Sequence, residues 1–285
     1  MQWFDYAAPT TLAEAVSLLA RHPDARILAG GTDLLVQLRS RRRQTPLVID
    51  GKRIPELIEL SNGAGGLTLG AAVPCYRIYG DAEVRRAYPA LADLAGLIGG
   101  TAIQGRASIG GNLCNSAPSA DSIPLLIAMY ATCRVASASG ERVIGAEDFC
   151  TGPGRNVLAS GELLVSIHIP APRKGFAAHY LRFIPRNEMD IAVAGVGVSI
   201  SMEEGIVREA RVALASVAPV PLFVRDAGAV LEGKPLSDEG FHSAGEIAKA
   251  AAKPISDMRG TVDYRRHLCA VLTRRALEAA AKEIQ

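Results

Sequence analysis

Two short stretches hold the residue types that could do chemistry. Ser108 to Asp121 reads SIGGNLCNSAPSAD: paired glycines, small hydrogen-bonding side chains and one carboxylate ahead of an apolar run. Upstream, Ala29-Gly30-Gly31-Thr32-Asp33 has the same character. Glycine lacks a Cβ, so the main chain can take positive φ and bring its N–H groups close to an anion. A short strand, Ala25 to Leu28, runs into the upstream glycines and the helical sequence LLVQLRSR follows. A helix beginning near Thr32 would turn unpaired N–H groups toward whatever occupies the turn. Taken singly, each glycine pair is a tight turn. Together with Asn112, Ser116, Ser119 and Asp121 they point to one long, phosphate-bearing ligand gripped twice. Asp121 can accept sugar hydroxyls, as an acidic residue does in other dinucleotide sites, or cap the helix near Pro124, or both.

Other chemistries lack their residues. No G-x-x-x-x-G-K-[ST] or G-x-S-x-G occurs, and Gly195-Val196-Gly197 lacks the third glycine of a Rossmann fingerprint. The histidines (His22, His168, His179, His242, His267) show no metal spacing, and His168 sits in an apolar strand as a structural residue. Five cysteines (Cys75, Cys114, Cys133, Cys150, Cys269) form no C-x-x-C pair, so neither a disulfide framework nor a zinc or iron-sulfur site is expected. Redox chemistry would need a borrowed cofactor. Lys plus Arg number 31 against 29 Asp plus Glu, a balance that gives no field for nucleic acid or an anionic membrane. The basic run Arg39, Arg41, Arg42, Arg43 reads as a solvated helix end. The start has no basic, apolar leader, and the longest apolar run, Ile123 to Ala131, is short of the roughly 20 residues of a membrane span. A protein without a transmembrane segment is expected, cytoplasmic or peripheral through a partner.

The elements that must position these stretches follow from periodicity. Thr10 to His22 carries Leu12, Val16 and Leu19 at helical spacing, with Thr10 or Thr11 as N-cap and Glu14 for a capping box. Pro46 to Asp50 and Gly66 to Ala72 read as strands, Ile54 to Leu60 as a short helix or turn, and Tyr76 to Tyr88 and Pro89 to Leu97 as two helices. After the central stretch come a buried helix (Pro124 to Tyr130) and a strand (Cys133 to Ala138). A loop through Ala146 to Gly154 precedes a strand from Leu163 to Ile169. Ala171 to Gly175, with Pro, Arg, Lys and Gly, marks a domain boundary. Beyond it, Phe176 to Phe183, Ile191 to Met202 and Val207 to Val217 read as three strands. Leu222 to Leu231, Glu239 to Ala252 and Tyr264 to Ile284 read as helices, giving an α+β second domain.

Ala29-Gly30-Gly31-Thr32-Asp33-Leu34-Leu35 is followed by Thr101-x-x-x-x-Arg106-x-Ser108-Ile109-Gly110-Gly111-Asn112-Leu113-Cys114-Asn115, Pro118-x-x-Asp121 and Gly161-Glu162-Leu163-Leu164. With Pro254-x-x-Asp257-x-Arg259-Gly260 and Tyr264-Arg265-Arg266, this order resembles the FAD-binding subunit of molybdenum-containing hydroxylases over essentially the whole chain. That group includes xanthine dehydrogenase and carbon monoxide dehydrogenase. The resemblance implies an α+β fold. An FAD-binding domain of the vanillyl-alcohol oxidase type would span 1–172, in two lobes of about 1–55 and 56–172. A smaller C-terminal flavoprotein domain, 173–285, would hold a three-stranded antiparallel sheet and helices.

The resemblance also implies roles. Leu28, Ala29, Gly30, Gly31, Thr32, Asp33 and Leu34 would hold the pyrophosphate, with Gly111 and Asn112 on its other side and Asp121 on sugar hydroxyls. Ile98, Gly99, Thr101, Ser108, Ile109, Gly110 and Cys114 match cofactor contacts, and Leu164 and Arg182 match positions near the flavin. Arg186 to Ile191 matches a loop over the isoalloxazine. FAD would collect electrons from [2Fe-2S] clusters on a small partner subunit, fed by a molybdenum cofactor on a large one, in a heterotrimer or its dimer. The cofactor would do the chemistry, so no catalytic side chain or metal ligand is needed on this chain. Gly31-Thr32-Asp33 and Met189 depart from the eukaryotic members, leaving NAD, oxygen, a quinone or a carrier as acceptor. No cysteine-bearing insertion matches the benzoyl-CoA reductase branch. A self-contained flavin oxidase or reductase and a non-catalytic nucleotide-binding assembly subunit are the alternatives.

Overall fold

The computed structural model describes residues 3–284; Met1, Gln2 and Gln285, the ends of the two expected domains, lie outside the described residues. Three sheets carry the architecture. The first is parallel and three-stranded, with Leu47–Asp50 between Asp5–Ala7 and Arg26–Leu28. It is flanked by the helix Leu12–Arg21, in which Thr11 caps the Glu14 N–H and the Glu14 carboxylate reaches back to the Thr10 N–H, one residue before the N-cap, a variant of the expected capping box. Ala15, Val16 and Leu19 face Leu47 and Ile49 in one apolar cluster, which continues into Leu163 and Val165 of the next sheet.

The second sheet is antiparallel, in the order Leu60–Gly63, Gly66–Gly70, Leu163–Pro170, Thr132–Ser137, Gly140–Gly145. Its outer strands, Leu60–Gly63 and Gly140–Gly145, were not expected. Both are short, polar and largely exposed, so neither shows the alternation that marks a half-buried strand. The small pair Cys150–Gly152 and Arg155–Asn156 likewise replaces part of an expected loop. The expected helix over Tyr76 to Tyr88 is two, Cys75–Gly80 and Ala82–Ala87. Asp81 breaks it, adopting extended backbone and capping the N–H groups of Glu83 and Val84. The buried helix Ser122–Ala128 lies at the core between this sheet and the third.

The third sheet has four antiparallel strands rather than three: Phe176–Phe183, Ala194–Glu203, Ile206–Ala215 and Leu222–Phe223. The stretch from Leu222 was expected to be helical. It opens instead as extended backbone paired to Ala213 and Leu214, and only Arg225–Ala229 is helical. Pro219 and Pro221 hold this approach extended, since the residue before a proline is disfavoured in helical geometry. The helices Asp238–Ala251 and Val262–Glu283 cover one face of the sheet and bury Phe241, Leu268, Leu272 and Leu277. No helix among the described residues is long and apolar enough to cross a membrane.

Candidate functional site: two glycine segments at one cavity

The two glycine stretches meet. Gly30 lies so close to the Arg106 carbonyl that a Cβ there would overlap it, which puts the first turn directly against the backbone leading into the second. Gly31 has φ +78°, the left-handed region that favours glycine. Gly110 packs on Ala71, whose Cα and carbonyl oxygen would lie 2.5 Å from an added Cβ. Gly111 stands next to Ala29. A side-chain bond from Gln37 Nε2 to Asn115 Oδ1 (3.0 Å) closes the same seam.

The stretch from Ser108 is not a loop. Ser108 caps a helix, Ile109–Asn115, by accepting from the Gly111 N–H at 3.0 Å, and Ser116 ends it with φ +49°. The upstream helix starts at Leu34, with Asp33 at its N-cap position and no capping bond from its side chain. Among the described residues, none of the backbone N–H groups of Gly30, Gly31, Thr32 and Asp33 donates a hydrogen bond. A row of unused donors beside a cavity is what an anionic ligand requires.

That cavity is about 620 Å³, within the size range of cofactor sites. Ala29, Gly30, Gly31, Thr32, Asp33, Leu34, Ile98, Ser108, Gly110, Gly111, Asn112, Cys114 and Leu164 line it. Leu164 reaches it beside a bulge, where the strand's register on Val135 and Arg134 slips between Leu164 and Ser166. Sequence reasoning missed Leu158 to Ser160 and the lining residues Leu19, Pro23, Arg26 and Arg43, and it took Gly161 to Leu163 only as part of a motif, with no place at the ligand. Leu158 to Ser160, Leu19, Pro23, Arg26 and Arg43 carry no ligand motif, and only the fold brings them to the glycines. Asp33 lines the cavity while remaining exposed, and partial desolvation there raises its carboxyl from the ordinary value. Burial pushes the Cys114 thiol up, away from thiolate chemistry.

Seven expected site residues lie off the lining: Leu28, Gly99, Thr101, Ile109, Asp121, Arg182 and Ile191. Leu28 ends its strand beneath Gly31, and Ile109 is fully buried in the core. Gly99, with φ +64°, packs on Ile103, and Thr101 is exposed at the start of a short helix. Gly100 between them faces the Met189 sulfur, so the segment 98–101 meets the 186–191 loop, where Ile191 is exposed. Within that loop Arg186 donates to the Met189 carbonyl, and Asp190 lies between Arg186 (3.8 Å) and Arg259 (3.9 Å).

Asp121 makes no helix-capping bond. It is buried, and its two carboxylate oxygens accept from the Tyr180 hydroxyl and from Arg182 Nη1, each at 2.6 Å. Tyr180 and Arg182 alternate on one strand and so share a face of the third sheet. Burial raises the Asp121 carboxyl against the opposing pull of Arg182 and Tyr180, and burial raises the Tyr180 phenol as well. Next to Asp121, Ser122 donates to Asn112 Oδ1 at 2.6 Å, which ties this triad to the cavity wall.

Comparison with known proteins supplies the family. Residues 2–172 match the FAD binding domain in molybdopterin dehydrogenase, and residues 179–280 match the CO dehydrogenase flavoprotein C-terminal domain. The xanthine dehydrogenase FAD-binding subunit of Escherichia coli O157:H7 is 32% identical over 283 residues, covering 97% of each chain. Among solved structures, carbon monoxide dehydrogenase from Hydrogenophaga pseudoflava superposes with a TM-score of 0.95 at 33% identity, covering 100% of this chain and 99% of that one. Quinoline 2-oxidoreductase from Pseudomonas putida 86 gives 0.92 at 32%, covering 99% and 98%. Free donors on a glycine turn, a cavity of cofactor size and likeness along the whole length converge: the chain belongs to the FAD-binding subunits of the xanthine and carbon monoxide dehydrogenase family of molybdenum hydroxylases, and is an FAD-dependent oxidoreductase subunit.

Proposed function

We propose that this chain is the electron-transfer subunit of a cytoplasmic heterotrimer, or a dimer of heterotrimers. It would take electrons from [2Fe-2S] clusters on a small partner, which a large molybdenum-cofactor subunit feeds, and deliver them to an external acceptor. The observation that carries the FAD site is the row of free N–H groups on Gly30 to Asp33, residues that line the cavity. The partners rest on relatives whose names describe medium chains, such as that of carbon monoxide dehydrogenase in Hydrogenophaga pseudoflava. The domain division at 172/173 is part of the proposal.

FAD exchanges electrons one or two at a time, which lets it join single-electron clusters to a two-electron acceptor. The chain's residues bind, orient and shield it. Main-chain donors of Gly30, Gly31, Thr32 and Asp33 take the pyrophosphate, with Gly111 and Asn112 opposite. Ile98 and Leu164 supply apolar wall for the flavin system. Asp121 pairs with Arg182, and its neighbour Ser122 donates to Asn112, which links the pair to the cavity lining.

Purification of the chain with its co-expressed neighbours tests this. The expected product is yellow, releases FAD on denaturation and carries a molybdenum subunit and a [2Fe-2S] subunit. Release of FMN, or a colourless protein that takes up no flavin, overturns the site assignment. FAD-loaded protein that joins no such partners overturns the electron-transfer role.

A further inference from the structure

The basic run at Arg39 to Arg43 divides in the structure. Arg39 closes its helix and Arg41 and Arg42 are exposed, whereas Arg43 turns back, half-buried, to line the cavity beside Arg26. Thr45 pins this return. Its hydroxyl lies 2.7 Å from the Asp24 carbonyl oxygen and 2.8 Å from that of Leu47, which fastens the segment after Arg43 to the start of the Arg26–Leu28 strand. Arg26 Nε is shut off from solvent without a hydrogen-bond partner. Among the described residues, no carboxylate forms an ion pair with either guanidinium. Desolvation, and then the charge of Arg26, lowers the Arg43 guanidinium from its ordinary value. Two like charges brought to one cavity with an unused donor are poorly compensated by the protein itself. They suit a ligand that brings negative charge or a π-face.

We infer that Arg26 and Arg43 form a second recognition point in the cavity, taking the adenylate half of the dinucleotide, and that Arg43 makes the chain prefer FAD to FMN. The inference rests on the assignment of this cavity to FAD. Both flavins offer a phosphate to the glycine donors. FAD adds a second phosphate and a purine, and a guanidinium can pair with the one and stack on the other, which an ammonium cannot do.

The test is titration of the flavin-stripped full-length chain with FAD, FMN and ADP, following flavin fluorescence for the first two and calorimetry for ADP. Arg43→Ala should weaken FAD and ADP by about tenfold or more, the loss expected for one charge-assisted contact, and leave FMN unchanged. Arg43→Lys should recover only part of the loss, and Arg42→Ala, at an exposed neighbour, should show no loss. Unfolding curves of each flavin-free variant report on folding. Unchanged FAD and ADP binding by Arg43→Ala, or equal weakening of FMN, overturns the inference while the FAD site stands. A wild-type chain that binds no FAD removes the site and the inference together.

Discussion

Two junctions hold the site, and they are built from opposite materials. At the glycine junction, backbone meets backbone: Gly30 against Arg106 and Gly110 against Ala71, with no room for a side chain. At the Asp121 junction, side chains do everything: a buried carboxylate at the start of a helix takes one bond from a phenol and one from a guanidinium, both on the third sheet. The first junction is sensitive to atoms added and the second to atoms removed. A buried carboxylate with its partner taken away keeps the desolvation cost and loses the compensation, whereas a crowded glycine transmits its strain to whatever the backbone was positioned to bind.

Substitutions can break this comparison. The largest loss of stability is expected from Asp121→Ala, which strands Arg182 beneath the surface; denaturant unfolding should show a drop of about 3–5 kcal/mol. Pairing it with Arg182→Met should restore part of that loss, and strict additivity would mean that the ion pair is not the coupling element. Gly30→Ala should cost about 1–3 kcal/mol through overpacking, yet its flavin content should fall further than that of Asp121→Ala, because the donors beside it shift. Equal flavin loss in the two variants would erase the distinction between the junctions. Ser108→Ala removes the cap on Ile109–Asn115 and should cost about 1 kcal/mol, with thermal melting as the readout. Smallest of all, Arg134→Ala breaks an exposed pair with Glu141 and should change stability by under about 1 kcal/mol.

The same contrast explains what was legible in the sequence. Steric necessity leaves a mark in the letters, because only glycine fits where two backbones touch, as at Gly30 and Gly110, or where φ is strongly positive, as at Gly31, so the two glycine stretches were found and do meet. Long apolar strands such as Phe176–Phe183 and the helices they support were found by their period. Polar partnership leaves no such mark. Nothing in Tyr180 or Arg182 announces Asp121, and Asp121 read equally well as a helix cap. Arg43 was hidden in another way, since four arginines within five positions look like one solvated surface until a turn after Ser40 separates them. The short strand Leu222–Phe223 was missed because two residues are too few to show alternation, and pairing with Ala213 and Leu214 decides their state.

The bulge between Leu164 and Ser166 bears on how the chain is made. The cavity draws most of its walls from residues within four segments, 26–34, 71–72, 98–115 and 158–164. During synthesis, the first three can fold while the last is still inside the ribosome. Until the Leu163–Pro170 strand emerges and inserts between its neighbours, the central sheet is split and the glycine segments have no opposite wall. With the cavity assigned to the flavin as proposed, flavin capture is expected to be a late event in the life of the nascent chain. A translational pause just before this strand would leave a partly built, apolar cleft open for as long as the pause lasts.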